Sequence, residues 1–210
     1  MTVNAKNLSD NIEIEVKFYI LDTSALHHRL VDMGATVGPE VFESNIRFED
    51  AGENLKKTGC LLRLRRDGSC RMTYKCPPLK DDPEYKVYQE LEVEVSDCDA
   101  MTGILQSLGF HPAQVYEKRR RVFHWSDVAL CLDRMPYGDF LEIEGPRQSI
   151  REAAKRLELS WRDRILTNYL SIFERMRNEF GLPFNDVTFA NFERHPVNLA
   201  SMLTTLCAGD

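Results

Sequence analysis

Charged and apolar residues alternate along much of this chain, and this period of two limits the fold more than any other feature. Residues 12–18 read IEIEVKF, so Glu13, Glu15 and Lys17 share one face of a strand and apolar side chains occupy the other. Similar alternation recurs in seven further runs, at residues 40–49, 60–66, 70–76, 89–94, 115–125, 128–134 and 140–144. The sequence therefore predicts eight strands.

Short links and amphipathic segments indicate how these strands are connected. Two-residue links at 67–68 and 126–127 are typical of hairpins, which join antiparallel neighbours. Amphipathic helices are predicted to begin at Thr23 or Ser24, at Asp97 or Asp99, and at Ser149, where Glu152 completes a capping box. A longer helix is predicted over residues 160–180 and a short one over 198–207.

The charged faces are segregated, since most strands are either acidic or basic. The carboxylates are Glu13, Glu15, Glu90, Glu92, Asp133, Glu142 and Glu144, and the cations are Lys17, Arg63, Arg65, Lys75, Lys118 and Arg120. For any single strand, one solvated face is the simpler interpretation. The amphipathic helices, however, need an apolar surface to cover, which places the charged faces inside. We expect an α+β fold with an eight-stranded antiparallel β-barrel and flanking helices.

A lumen that carries both signs of charge predicts a charged ligand. Buried charges have to be paired or have to coordinate another group. Carboxylates at two-residue spacing suit hard divalent cations such as Mg²⁺ or Mn²⁺. Arg and Lys side chains suit phosphate oxygens. The predicted ligand is therefore a polyphosphate held between the cations and bound metal ions.

Composition argues against several other classes of protein. The net charge of -6 disfavours nucleic-acid binding, and no apolar run approaches the roughly 20 residues that span a membrane. Residues 1–11 contain no apolar signal segment, so a cytoplasmic location is expected. The six cysteines form no C-x-x-C pair and are expected to be reduced and mostly packed. The sequence has no glycine-rich phosphate loop and no G-x-S-x-G turn.

Ordered motifs extend these observations to a known family. Glu13-x-Glu15-x-Lys17 resembles the E-x-E-x-K signature of the CYTH superfamily, the triphosphate tunnel metalloenzymes. Further motifs follow in family order, over about residues 11–172: Leu62-Arg63-Leu64-Arg65, Thr73-x-Lys75, Glu90-x-Glu92-x-Glu94, Glu117-Lys118-x-Arg120, Asp133 and Gly138-Asp139-Phe140-x-Glu142-x-Glu144. Residues 107–118 are most similar to the class IV adenylate cyclase branch. Asn45 and Arg47 depart from the Asp-x-Tyr of many relatives.

The resemblance implies a triphosphate tunnel domain over residues 1–180 and a tail or short helical appendage over 181–210. It assigns triphosphate binding to Arg63, Arg65, Lys75, Lys118 and Arg120, and metal binding to Glu13, Glu15, Glu90, Glu92, Asp133, Glu142 and Glu144. Lys17 is expected to act in catalysis with Glu13 and Glu15, by orienting an oxygen or as a base. For the tail, packing over a tunnel mouth and an oligomer contact, such as that of a homodimer, remain open.

The implied activity is that of an enzyme that uses Mg²⁺ or Mn²⁺ and a triphosphate. Class IV adenylate cyclase activity, which converts ATP to cyclic AMP and pyrophosphate, is the first expectation. The alternative is a triphosphatase that hydrolyses inorganic tripolyphosphate or thiamine triphosphate, because both reactions need the same cations and metal. A non-catalytic polyphosphate-binding module is the third interpretation. Membership of a fold does not choose among these activities.

Overall fold

Eight antiparallel strands close into a barrel in the computed structural model of this chain, which describes residues 11–78 and 82–209. The strands are β1 (Ile12–Ile20), β2 (Thr36–Asp50), β3 (Leu61–Arg66), β4 (Cys70–Cys76), β5 (Lys86–Glu94), β6 (Phe110–Trp125), β7 (Val128–Met135) and β8 (Gly138–Glu144). Their order around the barrel is β1-β5-β4-β3-β2-β6-β7-β8, and β8 pairs with β1 to complete the ring. The predicted number of strands, their antiparallel pairing and the barrel are confirmed.

Two strands run further than the alternation predicted. β2 contains 15 residues and β6 contains 16, and the two pair along most of their length. The predicted runs began later because Pro39 and Pro112 interrupt the pattern. Both prolines lie at or next to a shift in the β2–β6 register, where the ladder loses little from a residue that lacks an N–H group.

Among the described residues, the α-helices are α1 (Thr23–Asp32), α2 (Asn54–Lys57), α3 (Cys98–Ser107), α4 (Arg147–Arg156), α5 (Tyr169–Phe180), α6 (Phe189–Arg194) and α7 (Leu203–Leu206). α1 and α3 begin where predicted, with Asp22 and Asp97 as side-chain caps. α4 begins two residues before Ser149, directly after Pro146, so the predicted capping box is wrong. None of the helices in these described ranges is long and apolar enough to cross a membrane.

The predicted helix over residues 160–180 is wrong in its first half. A short 3-10 helix occupies Trp161–Asp163, and Ile165 then forms a bridge with Lys17 of β1. The backbone groups of Ile165 and Lys17 exchange hydrogen bonds of 2.7 and 3.3 Å. This pairing overrides the apolar spacing, and the helix starts only at Tyr169, where the Asn168 side chain caps it.

Three apolar clusters attach the helices to the barrel, and one of them packs Leu105 of α3 with Phe48 of β2 and Leu62 of β3. On the outer face, Val16 and Phe18 of β1 pack in another cluster with Leu30 of α1 and Ile150 of α4, as the alternation predicted. The remaining cluster joins α5 to Phe140, which is in phase with the lumen residues of β8. The ring of Phe140 lies 5.1 Å from that of Tyr169, edge to face. α5 therefore packs into the barrel interior as well as on its surface.

Residues 181–209 pack against the barrel through backbone bridges and a side-chain hydrogen bond. Val187 forms a bridge with Tyr116 of β6, and Cys207 forms one with Ile165. The Arg164 guanidinium donates a hydrogen bond of 2.6 Å to the carbonyl of Gly209. The helices described in this segment are α6, α7 and a 3-10 turn at Leu199–Met202, and the division of the chain at residue 180 stays a prediction.

Four of the six cysteines form disulfides, so the expectation of reduced thiols is wrong for them. Cys60 is bonded to Cys76, and Cys70 is bonded to Cys98 of α3. The β3–β4 ladder pairs Leu61 with Lys75, which places Cys60 beside Cys76 at the end of β4. A search for close cysteine spacing misses such pairs, because strand pairing and not sequence proximity brings the two sulfurs together. Cys131 and Cys207 are free.

Candidate active site

The strand register brings opposite charges together inside the barrel. Across neighbouring strands, the paired positions are Lys17 with Glu142, Lys75 with Glu90, and Arg120 with Asp133. Each of these pairs lies in the phase that the alternation assigned to the lumen. Cross-strand pairs of opposite charge stabilise a sheet, and here they also position the charged groups of the interior.

One wall of the lumen is a cation wall, which consists of Arg63, Arg65, Lys118 and Arg120. Asp133 is its main counterion. Its carboxylate accepts hydrogen bonds from Lys118 at 3.0 Å, from Arg120 at 2.6 and 2.5 Å, and from the Tyr169 hydroxyl at 3.0 Å. Asp133 is fully buried, and a buried carboxylate needs partners that compensate its charge. Lys118, Arg120 and Tyr169 provide them.

A second carboxylate, Glu43 of β2, also lies in the cation wall. It is 3.3 Å from Arg65 and 3.5 Å from Lys118. Burial would raise the pKa of Glu43, but Lys118, Arg120 and the other cations lower it to about 2. Within the described ranges, no hydrogen-bond donor satisfies its buried Oε2 atom. Glu43 therefore neutralises part of the cation wall through ion pairs.

A carboxylate cluster consists of Glu13, Glu15 and Glu144. Lys86 donates to Glu15 at 2.5 Å, and Lys75 forms an ion pair with Glu13. Burial and the neighbouring carboxylates nevertheless raise the pKa of Glu13, with Lys75 acting in the opposite direction. Burial and Glu15 likewise raise the pKa of Glu144. Burial also acts to raise the pKa of Glu15, but Lys86, Lys17 and Lys75 lower it overall. Positive charge is therefore insufficient at Glu13 and Glu144 but not at Glu15.

This cluster has the donor chemistry that Mg²⁺ and Mn²⁺ require. Both ions prefer carboxylate oxygens and retain waters that substrate phosphates can replace. Over the part of the chain that the structure describes, however, no group of three or more His, Cys, Asp or Glu side chains is already arranged around one point.

A cavity of about 540 Å³ connects the cation wall with the carboxylate cluster, a volume typical of small-molecule sites. Its charged lining includes Arg63, Arg65, Lys75, Lys86, Lys118, Arg120, Glu13, Glu15 and Glu142. α2 and α5 form its rim, where Lys56 and Glu174 make an ion pair of 2.5 Å. Leu170 and Phe173 of α5 add apolar surface beside the charged interior.

Five predicted site residues do not line the cavity: Lys17, Glu90, Glu92, Asp133 and Glu144. Lys17 and Asp133 are buried, whereas Glu92 is exposed. The Lys17 ammonium is 3.1 Å from Glu142 and 4.5 Å from the centre of the Tyr169 ring. Glu90 pairs with Lys75 at 2.8 Å, and Glu92 accepts a hydrogen bond of 2.7 Å from the Thr73 hydroxyl. Glu92 and Asp133 thus contact groups of the lumen wall rather than the carboxylate cluster. Their predicted metal ligation remains a prediction.

Sequence reasoning missed several charged residues of this site, among them Lys86 and Glu43. Lys86 was missed because the predicted strand began at residue 89, although continuing the alternation back from Glu90 places Lys86 in phase. Glu43 lies in a predicted strand, in phase with Asn45 and Arg47, but this strand departs from the family pattern, so no motif marks Glu43 as a site residue. The strand does contribute, because Asn45 accepts a hydrogen bond of 3.1 Å from Arg65.

Replacing Asp133 with alanine should destabilise the fold by about 3–5 kcal/mol, because it leaves two buried cations without their main counterion. Urea unfolding measures this change. Asp139→Ala is the matched control, since Asp139 pairs with Arg134 at 3.2 Å on the surface and should lose about 1 kcal/mol or less. Equal losses for the two variants would contradict the described ion-pair network.

Similar barrels occur in several solved structures. The PH1012 protein of Pyrococcus horikoshii OT3 is 28% identical, with a TM-score of 0.64 over 75% of this chain and 96% of its own. A putative adenylate cyclase from Vibrio parahaemolyticus is 20% identical, with a TM-score of 0.70 over 78% of this chain and 98% of its own. A putative adenylyl cyclase from Hippeastrum, HpAC1, described as having a dominant triphosphatase activity, is 17% identical, with a TM-score of 0.59 over 78% and 96%.

The family comparison covers the barrel itself. A search of curated proteins finds no match to this chain. The sequence model of the CYTH domain, in contrast, matches residues 11–165, from the strand that carries Glu13 to the residue that bridges Lys17. This match spans well over half of the chain and agrees with the ordered motifs and the charged tunnel. The chain belongs to the CYTH family.

Proposed function

We propose that this protein is a divalent-metal-dependent enzyme that acts on a triphosphate in the tunnel, and that its first candidate activity is the conversion of ATP to cyclic AMP and pyrophosphate. The observation that carries this proposal is the cavity itself, whose lining includes nine Lys and Arg side chains together with Glu13, Glu15 and Glu142. A chain of phosphates needs many positive charges, and its metal ions need carboxylate oxygens.

The cation wall would bind the phosphate oxygens. Arg63 and Arg65 offer guanidinium groups that suit two oxygens at once, and Lys118 adds a point charge. Asp133 and Glu43 would keep these cations in place before the substrate arrives. Arg120, which also donates to Glu142, would connect the bound phosphates to the carboxylate side of the tunnel.

The carboxylate cluster would hold Mg²⁺ or Mn²⁺ through Glu13, Glu15 and Glu144, with Glu90 and Glu142 beside it. When bound, the metal ion supplies charge neutralisation and Lewis acidity for the phosphates. Lys17 lies 3.6 Å from Glu15 and 3.1 Å from Glu142, so its role would be to orient these two carboxylates. Glu92 would hold the Arg63 guanidinium in position through an ion pair of 3.6 Å.

The cyclase reaction needs no nucleophile from the protein. The 3′-hydroxyl oxygen of ATP bonds to the α-phosphorus, the bond from that phosphorus to pyrophosphate breaks, and the hydroxyl proton passes to water. Phosphoryl chemistry of this kind depends mainly on positioning and on charge neutralisation, both of which the tunnel side chains would provide. Leu170 at the rim offers an apolar contact to the nucleoside.

A triphosphatase is the second candidate, in which water attacks instead of the ribose hydroxyl. It is favoured by the predominance of phosphate-binding groups in the cavity, and the Hippeastrum protein of the same fold is described by this activity. Product analysis after incubation with ATP, tripolyphosphate and thiamine triphosphate decides between the two. Cyclic AMP with pyrophosphate indicates a cyclase, and orthophosphate with a diphosphate product indicates a hydrolase. If none of the three is turned over with Mg²⁺ or Mn²⁺, the proposed enzyme is contradicted.

Affinity should follow the number of phosphates more than the base. Each hydrogen bond to a charged group contributes roughly 1.5–3 kcal/mol, so losing two phosphates should weaken binding by about 100-fold or more. ATP and tripolyphosphate should compete for one site, and AMP should compete poorly. Calorimetric titration of the three ligands measures this. AMP binding as tightly as ATP would place recognition in a nucleoside pocket instead.

A further inference from the structure

The Cys60–Cys76 disulfide lies at the rim of the tunnel. Cys60 and its neighbour Gly59 line the cavity, as does Lys75, which precedes Cys76 in β4. The second disulfide, Cys70–Cys98, joins the other end of β4 to α3, and neither of its cysteines lines the cavity. Only the first bond is therefore placed to act directly on the site.

Cys60 is connected to the helix that forms the rim. Its N–H group donates a hydrogen bond of 2.8 Å to Leu55 in α2, and the N–H of Gly59 donates one of 3.1 Å to Lys56. Gly59 has a φ of +71°, and a Cβ atom there would lie 3.3 Å from the ring of Pro77. The disulfide thus joins the short α2 turn, including Lys56, to the end of β4.

The same bond secures the strand that presents Lys75. The Lys75 ammonium reaches Glu13 and Glu90 from the position next to Cys76. Tyr74, which is partly exposed, has its hydroxyl 3.0 Å from the Cys76 sulfur and 3.6 Å from the Cys60 sulfur. Both cysteines are only partly buried, so a small thiol can reach the bond, whereas Cys98 is buried.

We propose that Cys60–Cys76 is a reversible redox site that controls triphosphate binding in the tunnel. Reduction by two molecules of a low-molecular-weight thiol such as glutathione proceeds through a mixed disulfide. A thiolate bonds to one cysteine sulfur, the other cysteine leaves and takes a proton, and a second thiol releases the protein as a dithiol with one disulfide of the small thiol. The dithiol form frees α2 from β4 and weakens the placement of Lys75.

The proposal rests on the proposed triphosphate binding, so the experiment measures the thiols and the ligand separately. The full chain is equilibrated in glutathione buffers that range from oxidising to reducing. Free thiols are alkylated and mapped by mass spectrometry, and calorimetry gives the Kd for tripolyphosphate in each buffer. We expect the Kd to rise about fivefold or more in step with alkylation of Cys60 and Cys76, while circular dichroism shows an intact fold.

Two double variants assign the effect to one disulfide. C70S/C98S should keep the buffer-dependent change in Kd, and C60S/C76S should bind weakly in every buffer. The proposal is overturned if the Kd does not change when Cys60 and Cys76 are fully reduced, if the change follows Cys70 and Cys98, or if the bond is reduced only when the chain unfolds. If the oxidised protein does not bind tripolyphosphate at all, the proposed function fails and control of that binding fails with it. The thiol map still shows in that case whether the bond is reversible.

Discussion

Arg120→Ala is expected to lower kcat/KM for the triphosphate substrate by about 1000-fold, which corresponds to roughly 4 kcal/mol of lost transition-state stabilisation. Arg120 lines the cavity and donates hydrogen bonds to both Asp133 and Glu142, so its removal takes a guanidinium from the point where the two sides of the tunnel meet. Steady-state kinetics with ATP and with tripolyphosphate measure the loss. Arg63→Ala and Lys75→Ala should have effects of the same kind.

The matched control is the next residue along the strand. Arg121 lies on the outer face of β6, 3.8 Å from Glu40, and its side chain is 37% exposed. Arg121→Ala should therefore keep activity within about twofold, since exposed ion pairs contribute little. Arg119→Ala should behave like it. Thermal unfolding of each variant shows whether a loss of activity results from a loss of folded protein. Equal losses of activity at residues 120 and 121 would mean that the strand phase is misassigned.

Exhaustive chelation of divalent metal should abolish turnover, and Mg²⁺ or Mn²⁺ should restore it. Glu13, Glu15 and Glu144 lie together in a buried setting that raises the pKa of Glu13 and of Glu144, and a triphosphate would add further negative charge. Without a cation, both the cluster and the substrate lack neutralisation. Turnover that survives chelation and gains nothing from added metal would refute the metal-dependent mechanism.

A pair of variants assigns this requirement to the carboxylate cluster. Glu13→Gln should raise the metal concentration needed for half-maximal activity by about tenfold or more, because it removes a charged ligand. Glu94→Gln is the control, since Glu94 continues the acidic alternation of β5 but is exposed and does not line the cavity. If both variants respond to metal like the unaltered protein, the cation binds elsewhere in the molecule.

The sequence predicts the barrel well because alternation is a local property of each strand. Residues 115–125 show this, since parity alone places Arg120 inside and Arg121 outside, as the structure confirms. Features that depend on which strands meet are harder to predict. From the sequence, Asp133 is one of several acidic residues predicted to face the lumen. The β6–β7 register makes it the counterion of Arg120. The Cys60–Cys76 disulfide likewise follows from strand pairing, and nothing in the spacing of the cysteines indicates it.

The closed ring also has a consequence for how the chain folds. β1 pairs with β5 on one side and with β8 on the other, so the first strand to be synthesised receives its second neighbour only after residue 144 has emerged. Pairing at such long sequence separation is slow, because the entropy of loop closure is lost before the contacts form. We expect refolding in milliseconds to seconds, about the range of other barrels dominated by non-local strand pairs. Until β8 has formed, β1 lacks the partner that closes the ring, and its apolar face is open to aggregation.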